Sequence, residues 1–263
     1  MKPAQSTQKL NEYLLLSLVR GERCVLRVPG FTGPNIRQRL LTYARQSSLD
    51  RYRVIVNSES GQTVRDLGVL RVGTPYNLTY SGGSLDDYYV RAAVMRQALR
   101  DACAPDPDPI CCLLHELNRF WPSGAALATF DGQEMNAGII RVVRAEDSAV
   151  GASQPHFDCL PPFICPLIHQ FAACIYLDTP THGGELEIWD VPSKSAAEIS
   201  EIDFRTDLRG MLPPSTFVPV ANGDLIVFNS RRPHCVRPFA EGARISLHTF
   251  IGLTKLGQLV LWS

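Results

Sequence analysis

His156 and Asp158 put an imidazole and a carboxylate two positions apart, near the end of the stretch 150–159. On an extended segment, side chains at i and i+2 point to the same side, so both can reach one metal ion. A third ligand is offered by His234, which closes Gly223-Asp-Leu-Ile-Val-Phe-Asn-Ser-Arg-Arg-Pro-His234 just past an apolar strand. Two imidazoles and one carboxylate on one face, with other positions left open, suit a non-haem ferrous ion. Further on, Arg244 opens Arg-Ile-Ser-Leu-His-Thr-Phe-Ile-Gly252. Alternation there sets Arg244, Ser246 and His248 on one side, with Ile245, Leu247 and Thr249 on the other. Turning Arg, Ser and His inward is costly unless they meet something charged. A dicarboxylate ligand answers that, through paired charge-assisted bonds from the guanidinium and a third from the Ser246 hydroxyl. The competing reading pairs Arg244 with a neighbouring Asp or Glu of the chain itself.

These side chains need elements to hold them. Residues 14–19 read as a helix and 24–28 as a strand closed by Pro29 and Gly30. Residues 35–44 carry Ile36, Leu40, Leu41 and Ala44 at helical spacing, with Asn35 as the cap. Residues 61–84, rich in Gly, Ser, Asn and Thr, read as irregular with one short strand. A helix follows Asp86 and Asp87, with Val94, Ala98, Leu99 and Ala102 sharing a face. Pro105, Pro107 and Pro109 stop it. The next helix bears the apolar stripe Ile110, Leu113, Leu114, Leu117, Phe120 and Trp121.

After residue 122 the texture changes to short strands, at 138–144, 171–177, 185–189, 217–220, 224–228 and 244–250. The run 171–177 is apolar on both faces, as suits a strand buried between two layers. Residues 191–215 are polar and read as an insertion. Helices first and short strands after argue for an α+β fold with the strands as a sandwich or jelly roll. The whole of 1–263 is expected to be a single domain, mainly helical over 1–135 and with its strand core over 136–253.

With 263 residues and 45% apolar content the chain can bury a real core. Its 26 basic and 26 acidic residues cancel, which argues against nucleic acid or an anionic membrane as partner. No apolar run is long enough to cross a bilayer. The polar N-terminus shows no signal-like stretch, and the eight cysteines form no CxxC pair. Free thiols and a cytoplasmic location are therefore expected. By alternation Cys159 and Cys235 turn away from the metal. His115 and His169 read as packed or exposed histidines, and His182 as solvent-exposed. Arg141 and Arg144 lie on opposite strand faces, so one of them can face the interior. Trp189 and Tyr176 read equally well as site residues or as core aromatics.

The set His156-Phe-Asp158, His234, Arg244-Ile-Ser246 and the turn Gly183-Gly-Glu-Leu186 resembles the Fe(II)/2-oxoglutarate-dependent dioxygenases of double-stranded β-helix, cupin-like fold, over residues 136–253. Leu85-Asp-Asp-Tyr-Tyr, Arg96-Gln-Ala-Leu-Arg100, Ala137-Gly-Ile-Ile-Arg141 and Phe250-Ile-Gly-Leu253 extend the similarity to free-standing small-molecule oxygenases. These include welwitindolinone-type aliphatic halogenases and N-succinyl amino-acid hydroxylases. The resemblance implies that His156, Asp158 and His234 hold Fe(II) and that Arg244 and Ser246 grip 2-oxoglutarate, with O2 as co-substrate. An aliphatic C–H bond of a free amino acid or natural-product intermediate would then be oxidised, with release of succinate and CO2. The halogenases have a small residue where this chain has Asp158, so hydroxylation, or desaturation or cyclisation, is implied in place of halogenation. Two alternatives stay open: a prolyl-type hydroxylase of protein side chains, and a catalytically silent cupin-like binding domain. The oligomeric state is not legible. Residues 191–215 are expected to cover the mouth of the site.

Overall fold

A computed structural model describes residues 5–7, 9–58, 61–81, 83–202 and 207–263. The first half supplies helices α1 (Glu12–Val19), α2 (Pro34–Gln46), α3 (Leu85–Cys103) and α4 (Pro109–Phe120), interleaved with strands β1 (Val25–Val28), β2 (Asp50–Ser58) and β3 (Gly61–Val72). The second half supplies β4 (Ile139–Arg144), β5 (Leu167–Asp178), β6 (Leu186–Ile188), the short helix α5 (Ala196–Ser200), β7 (Thr216–Val218), β8 (Leu225–Asn229), β9 (His234–Val236), β10 (Ala243–Thr254) and β11 (Leu259–Trp262). Among the described residues no helix is long and apolar enough to cross a membrane.

Two sheets face each other. In the larger, β1, β8, β5, β10, β4, β3 and β2 lie side by side in that order, with β11 pairing antiparallel to the C-terminal end of β10, past the part that pairs with β4. The smaller has the order β7, β6, β9. Strand β5 shows why they stack: Phe171, Ala173, Ile175 and Leu177 face the helices, while Ala172, Cys174 and Tyr176 face the smaller sheet. A strand apolar on both sides can be satisfied only between two layers. The helical layer packs Leu14, Leu18, Leu40, Leu113 and Leu117 against the outer face of the large sheet. Each fully buried side chain of this kind contributes about 1.5–3 kcal/mol. On the inner face, Leu186, Ile188 and Val218 of the small sheet meet Ile226 and Phe228. The arrangement is the double-stranded β-helix.

The N-terminal part departs from the expectation of a mainly helical segment. Residues 61–72 form a long strand, not irregular chain, and with β2 they extend the large sheet beyond β4. Their polar, charged composition fits an outer position, where one side chain in two faces solvent. The cap of α2 is Gly33, with Pro34 pre-set at the first helical position, so Asn35 lies inside the first turn. The buried face of α3 is Tyr88, Ala92, Met95, Leu99 and Cys103, whereas Val94 is exposed. The turn before β6 needs both of its glycines: Gly183 and Gly184 have φ of +81° and +75°, and a Cβ on Gly183 would lie 2.5 Å from the Pro238 carbonyl oxygen.

Candidate metal centre and the cavity around it

His156 and His234 face each other across an isolated antiparallel bridge, each backbone N–H donating to the other's carbonyl at 3.0 Å. That pairing brings the two rings to 4.5 Å between centroids. Asp158 is pinned one step further, its N–H donating to Ser230 O at 2.9 Å and its carbonyl accepting from Gln170 Nε2 at 3.1 Å. One ligand atom from each of His156, Asp158 and His234 lies within 4.8 Å of the others. The closest approach, His234 Nε2 to Asp158 Oδ2, is 3.3 Å. Two ligands bound at about 2.1 Å and at right angles to each other would lie about 3 Å apart, so this spacing fits a shared ion.

The two histidines are oriented by the same local device. Nδ1 of His156 is 2.9 Å from Gln154 O, and Nδ1 of His234 is 2.9 Å from Arg232 O. A carbonyl can only accept, so each Nδ1 carries a hydrogen and each Nε2 is turned toward the metal position, where a bound ion would take its lone pair. Burial, then the charge of His234, pushes His156 down to about 4, which keeps its ring neutral near pH 7. Burial alone would raise Asp158, but the hydrogen bond with His234 and the charges of both histidines outweigh it and hold the carboxyl well below its usual range. The neutral ring of His156 and the ionised carboxylate of Asp158 are donor states that a divalent cation requires.

These three residues line a cavity of about 1330 Å³ between the sheets. Alternation along β10 turns Arg244, Ser246 and His248 into it, while Ile245, Leu247 and Ile251 join the helix-side core. Arg244 is only 6% exposed. Its Nη2 donates to Tyr176 Oη at 2.8 Å, its guanidinium lies 4.8 Å from the Tyr176 ring centre, and its Nε has no partner. Among the described residues Arg244 has no acidic partner, so the reading that pairs it with a local carboxylate fails. His248 is buried with Nδ1 unpartnered, and burial holds it neutral.

The remaining candidates are not metal ligands, although Arg141, Cys159 and Cys235 also line the cavity. The thiol of Cys235 donates to Glu187 on the side away from the metal, at 3.2 Å. Cys159 turns its sulfur to the Leu160 carbonyl at 3.4 Å and is half-buried. Tyr176 serves Arg244, and Trp189 packs under Arg209. His169 stacks on Phe171, and His115, His182 and Arg144 are exposed. Of the two strand arginines it is Arg141 that enters the cavity. Sequence reading missed Tyr52 of β2 and Asn77, whose Oδ1 accepts from the Tyr52 hydroxyl at 2.7 Å. Alternation of Tyr52 and Val54 with Arg51 and Arg53 marks a strand with two unlike faces, but not the sheet it joins or the cavity it walls. Of the 191–215 segment, residues 196, 197 and 199–202 line the cavity, and residues 203–206 lie outside the described residues.

Residues 141–252 match the family model described as "2OG-Fe(II) oxygenase superfamily". A curated relative, the L-gamma-glutamyl-L-propargylglycine hydroxylase of Streptantibioticus cattleyicolor, is 31% identical over 166 residues, 60% of this chain. The aligned region spans 59% of that relative's length. Among solved structures, an N-substituted L-amino acid dioxygenase from Burkholderia ambifaria AMMD superposes with a TM-score of 0.62 at 14% identity, covering 95% of this chain and 91% of that one. Its complex with alpha-KG gives 0.61 at 14% identity, covering 95% and 90%. At such identity the likeness establishes the fold.

Proposed function

We propose, from the match of residues 141–252 to the 2OG-Fe(II) oxygenase superfamily model, that this protein hydroxylates an aliphatic C–H bond of a free amino acid derivative, using Fe(II), O2 and 2-oxoglutarate and releasing succinate and CO2. One observation carries the reading: a three-ligand cluster and a buried arginine without an acidic partner among the described residues share one cavity. His156 and His234 would hold the metal through Nε2, and Asp158 through a carboxylate oxygen. Arg244, steadied by Tyr176, and Ser246 would hold the distal carboxylate of 2-oxoglutarate, since a desolvated guanidinium binds carboxylate with paired, charge-assisted bonds. When bound, iron and 2-oxoglutarate supply the activation of dioxygen and the cleavage of the C–H bond; the protein supplies position and exclusion of water. With a metal bound, Asp158 would supply a ligand where halide transfer would need an open position, which supports oxygen transfer over halide transfer.

The size of the cavity bears on the substrate. At about 1330 Å³ it exceeds the common range of roughly 300–1,000 Å³ for small-molecule sites, leaving room for an acylated amino acid or a dipeptide beside the co-substrate. The names of the γ-glutamyl dipeptide hydroxylase and the N-substituted amino acid dioxygenase point to the same class. We also read residues 1–263 as one domain, since β1, β2 and β3 belong to the sheet that carries β10. The test is succinate formation from 2-oxoglutarate by the Fe(II)-loaded protein, screened against N-acyl amino acids and γ-glutamyl dipeptides in chloride buffer. Substrate-stimulated succinate and a product with one added oxygen are expected. A chlorinated product would sink the oxygen-transfer reading, and no stimulated succinate with any member would sink the substrate class.

A further inference from the structure

Arg141 lies directly across from Ser246 on the neighbouring strand, and its side chain enters the cavity while Ile140 and Val142 pack toward the helices. Among the described residues it makes no hydrogen bond and no ion pair, and its Nε is buried without a partner. Other arginines on this flank are occupied. Arg71 of β3 donates to the Gly73 carbonyl and sits 3.5 Å from Asp50, and Arg51 of β2 holds Asp147 at 2.9 Å. What Arg141 has is a platform: its guanidinium lies 5.7 Å from the centre of the Tyr52 ring, and the Tyr52 hydroxyl is fixed by Asn77.

The groups that feel Arg141's charge include His156, Asp158, His248, Cys174 and Tyr52. Burial, the first cause in each case, keeps His156 and His248 neutral and Cys174 and Tyr52 protonated. Asp158 is the one anion of that group, and it belongs to the metal cluster. A divalent ion with Arg244, Arg141 and Arg65 would bring more positive charge to the cavity than its two lining side-chain carboxylates, Asp158 and the exposed Glu201, can balance. The ligands must therefore bring the anions, and Arg244 accounts for one of them.

We propose that Arg141 is a second carboxylate-binding residue of this cavity, separate from Arg244 and held in place by the Tyr52–Asn77 pair. The proposal rests on the Fe(II)/2-oxoglutarate reading for the identity of the first carboxylate, and on its own geometry for the second. Two ligands could bring the acid: the substrate, or the metal-side end of 2-oxoglutarate. The lean of Arg141 toward β2, two strands beyond β4 and away from the β5–β10 pair that carries Tyr176 and Arg244, favours the substrate. The substrate class is then an amino acid derivative with a free carboxylate, its apolar part lying against Leu67, Leu160 and Ile199.

Calorimetry on the anaerobic Fe(II)-loaded protein tests this without turnover. Wild type, Arg141→Gln, Arg141→Lys and the exposed-strand control Arg144→Gln are titrated with 2-oxoglutarate. With 2-oxoglutarate saturating, they are then titrated with N-acetyl-L-leucine, a γ-glutamyl dipeptide and the C-terminal amides of both. Wild type should prefer acids to amides. Arg141→Gln should lose about 10–100-fold in affinity for the acids, with amide and metal affinity retained, and Arg141→Lys should recover part of the loss. The same loss on the 2-oxoglutarate arm would keep the second carboxylate site and assign its acid to the co-substrate. Unchanged 2-oxoglutarate affinity in Arg141→Gln, together with no acid-specific loss or no acid preference in wild type, overturns the proposal. Thermal melting of the variants controls for folding, and Arg141→Lys carries the comparison if the glutamine variant fails to fold. Failure of the underlying reading shows separately, as absence of metal-dependent 2-oxoglutarate binding in wild type.

Discussion

Glu187 and Arg244 are both buried charges on facing sheets, yet their surroundings are opposite. The Glu187 carboxylate accepts from Arg209 at 2.8 and 2.9 Å, from Ser215 Oγ at 2.6 Å and from the Cys235 thiol at 3.2 Å. Its acceptor capacity is filled by the chain itself, and the result is a strut tying 209–215 to the outer side of β6. Arg244 offers five N–H donors and makes one side-chain bond, to Tyr176. A buried donor left unmade costs about 1–3 kcal/mol, so such a group persists where a ligand satisfies it. The metal histidines show the same contrast within single rings: Nδ1 is tied to backbone, and Nε2 is left for a ligand. Saturation marks what holds the fold, and selective vacancy marks what the fold presents.

The contrast is broken most directly at the vacant end. His156→Ala, Asp158→Ala or His234→Ala each removes one of three protein ligands. Turnover should fall by about three orders of magnitude or more, the order expected when a catalytic assembly loses a member. Melting of the metal-free protein should change far less than activity, because the ligand atoms contact one another and not the apolar core. Full activity in any of the three would discard the centre. Next in size is Arg244→Ala, which should weaken 2-oxoglutarate by about 100-fold, a few kcal/mol, while Fe(II) binding survives. An unchanged 2-oxoglutarate titration would mean that the anchor lies elsewhere.

The saturated end should respond in the opposite sense. Glu187→Ala should destabilise the protein by about 2 kcal/mol, less than the roughly 3–5 kcal/mol of a fully buried pair because Arg209 is 45% exposed, with kcat of the folded protein near wild type. The pH sign follows from the same bonds. Burial would raise Glu187, but bonds from Arg209, Ser215 and Cys235 outweigh it and depress its folded-state pKa below the ordinary value of 4.5. The stabilisation is therefore present above about pH 4.5 and lost as pH falls through the depressed value. Acid melting curves should show wild type losing its advantage over Glu187→Ala below that pH. A constant difference between them would show that Glu187 is not a charged strut.

How far the sequence carried this site depended on how local each feature is. Alternation along 244–248 and the two-residue spacing of His156 and Asp158 are local, so the cavity face of β10 and the candidate ligand set were legible. The Nδ1 carbonyls of Gln154 and Arg232 are local as well, each two residues before its histidine, but only backbone geometry reveals them. The Tyr52 platform was out of reach because it depends on β2 and β3 joining the sheet beyond β4, through a pairing about 70 residues apart in the chain. Polar outer strands carry too little apolar pattern to announce that. Likewise the saturation of Glu187 combines β6, β9 and the 209–215 segment, which no local spacing encodes.

The smallest expected effect concerns the two halves of 191–215, which the sequence reading treated as one cover over the mouth. In the structure α5 and residues 201–202 line the cavity, while Arg209 and Ser215 are fastened to Glu187 on the other side of β6. The first half carries a local capping box at Ser195 and Glu198 and buries chiefly Ile199, which is little to hold a five-residue helix. Isolated helices so short are unstable in water, so α5 should open locally far more often than the core. A substrate filling the cavity would add apolar contact to Ile199 and Ile202 and slow that opening. Hydrogen exchange in the presence of 2-oxoglutarate should therefore show substrate-dependent protection over 196–202, by a few-fold, and no change over 209–215. Equal protection in both halves would mean that the segment moves as one lid and that the Glu187 strut travels with it. No protection in either would leave the substrate held by the Tyr52 wall and the sheets alone.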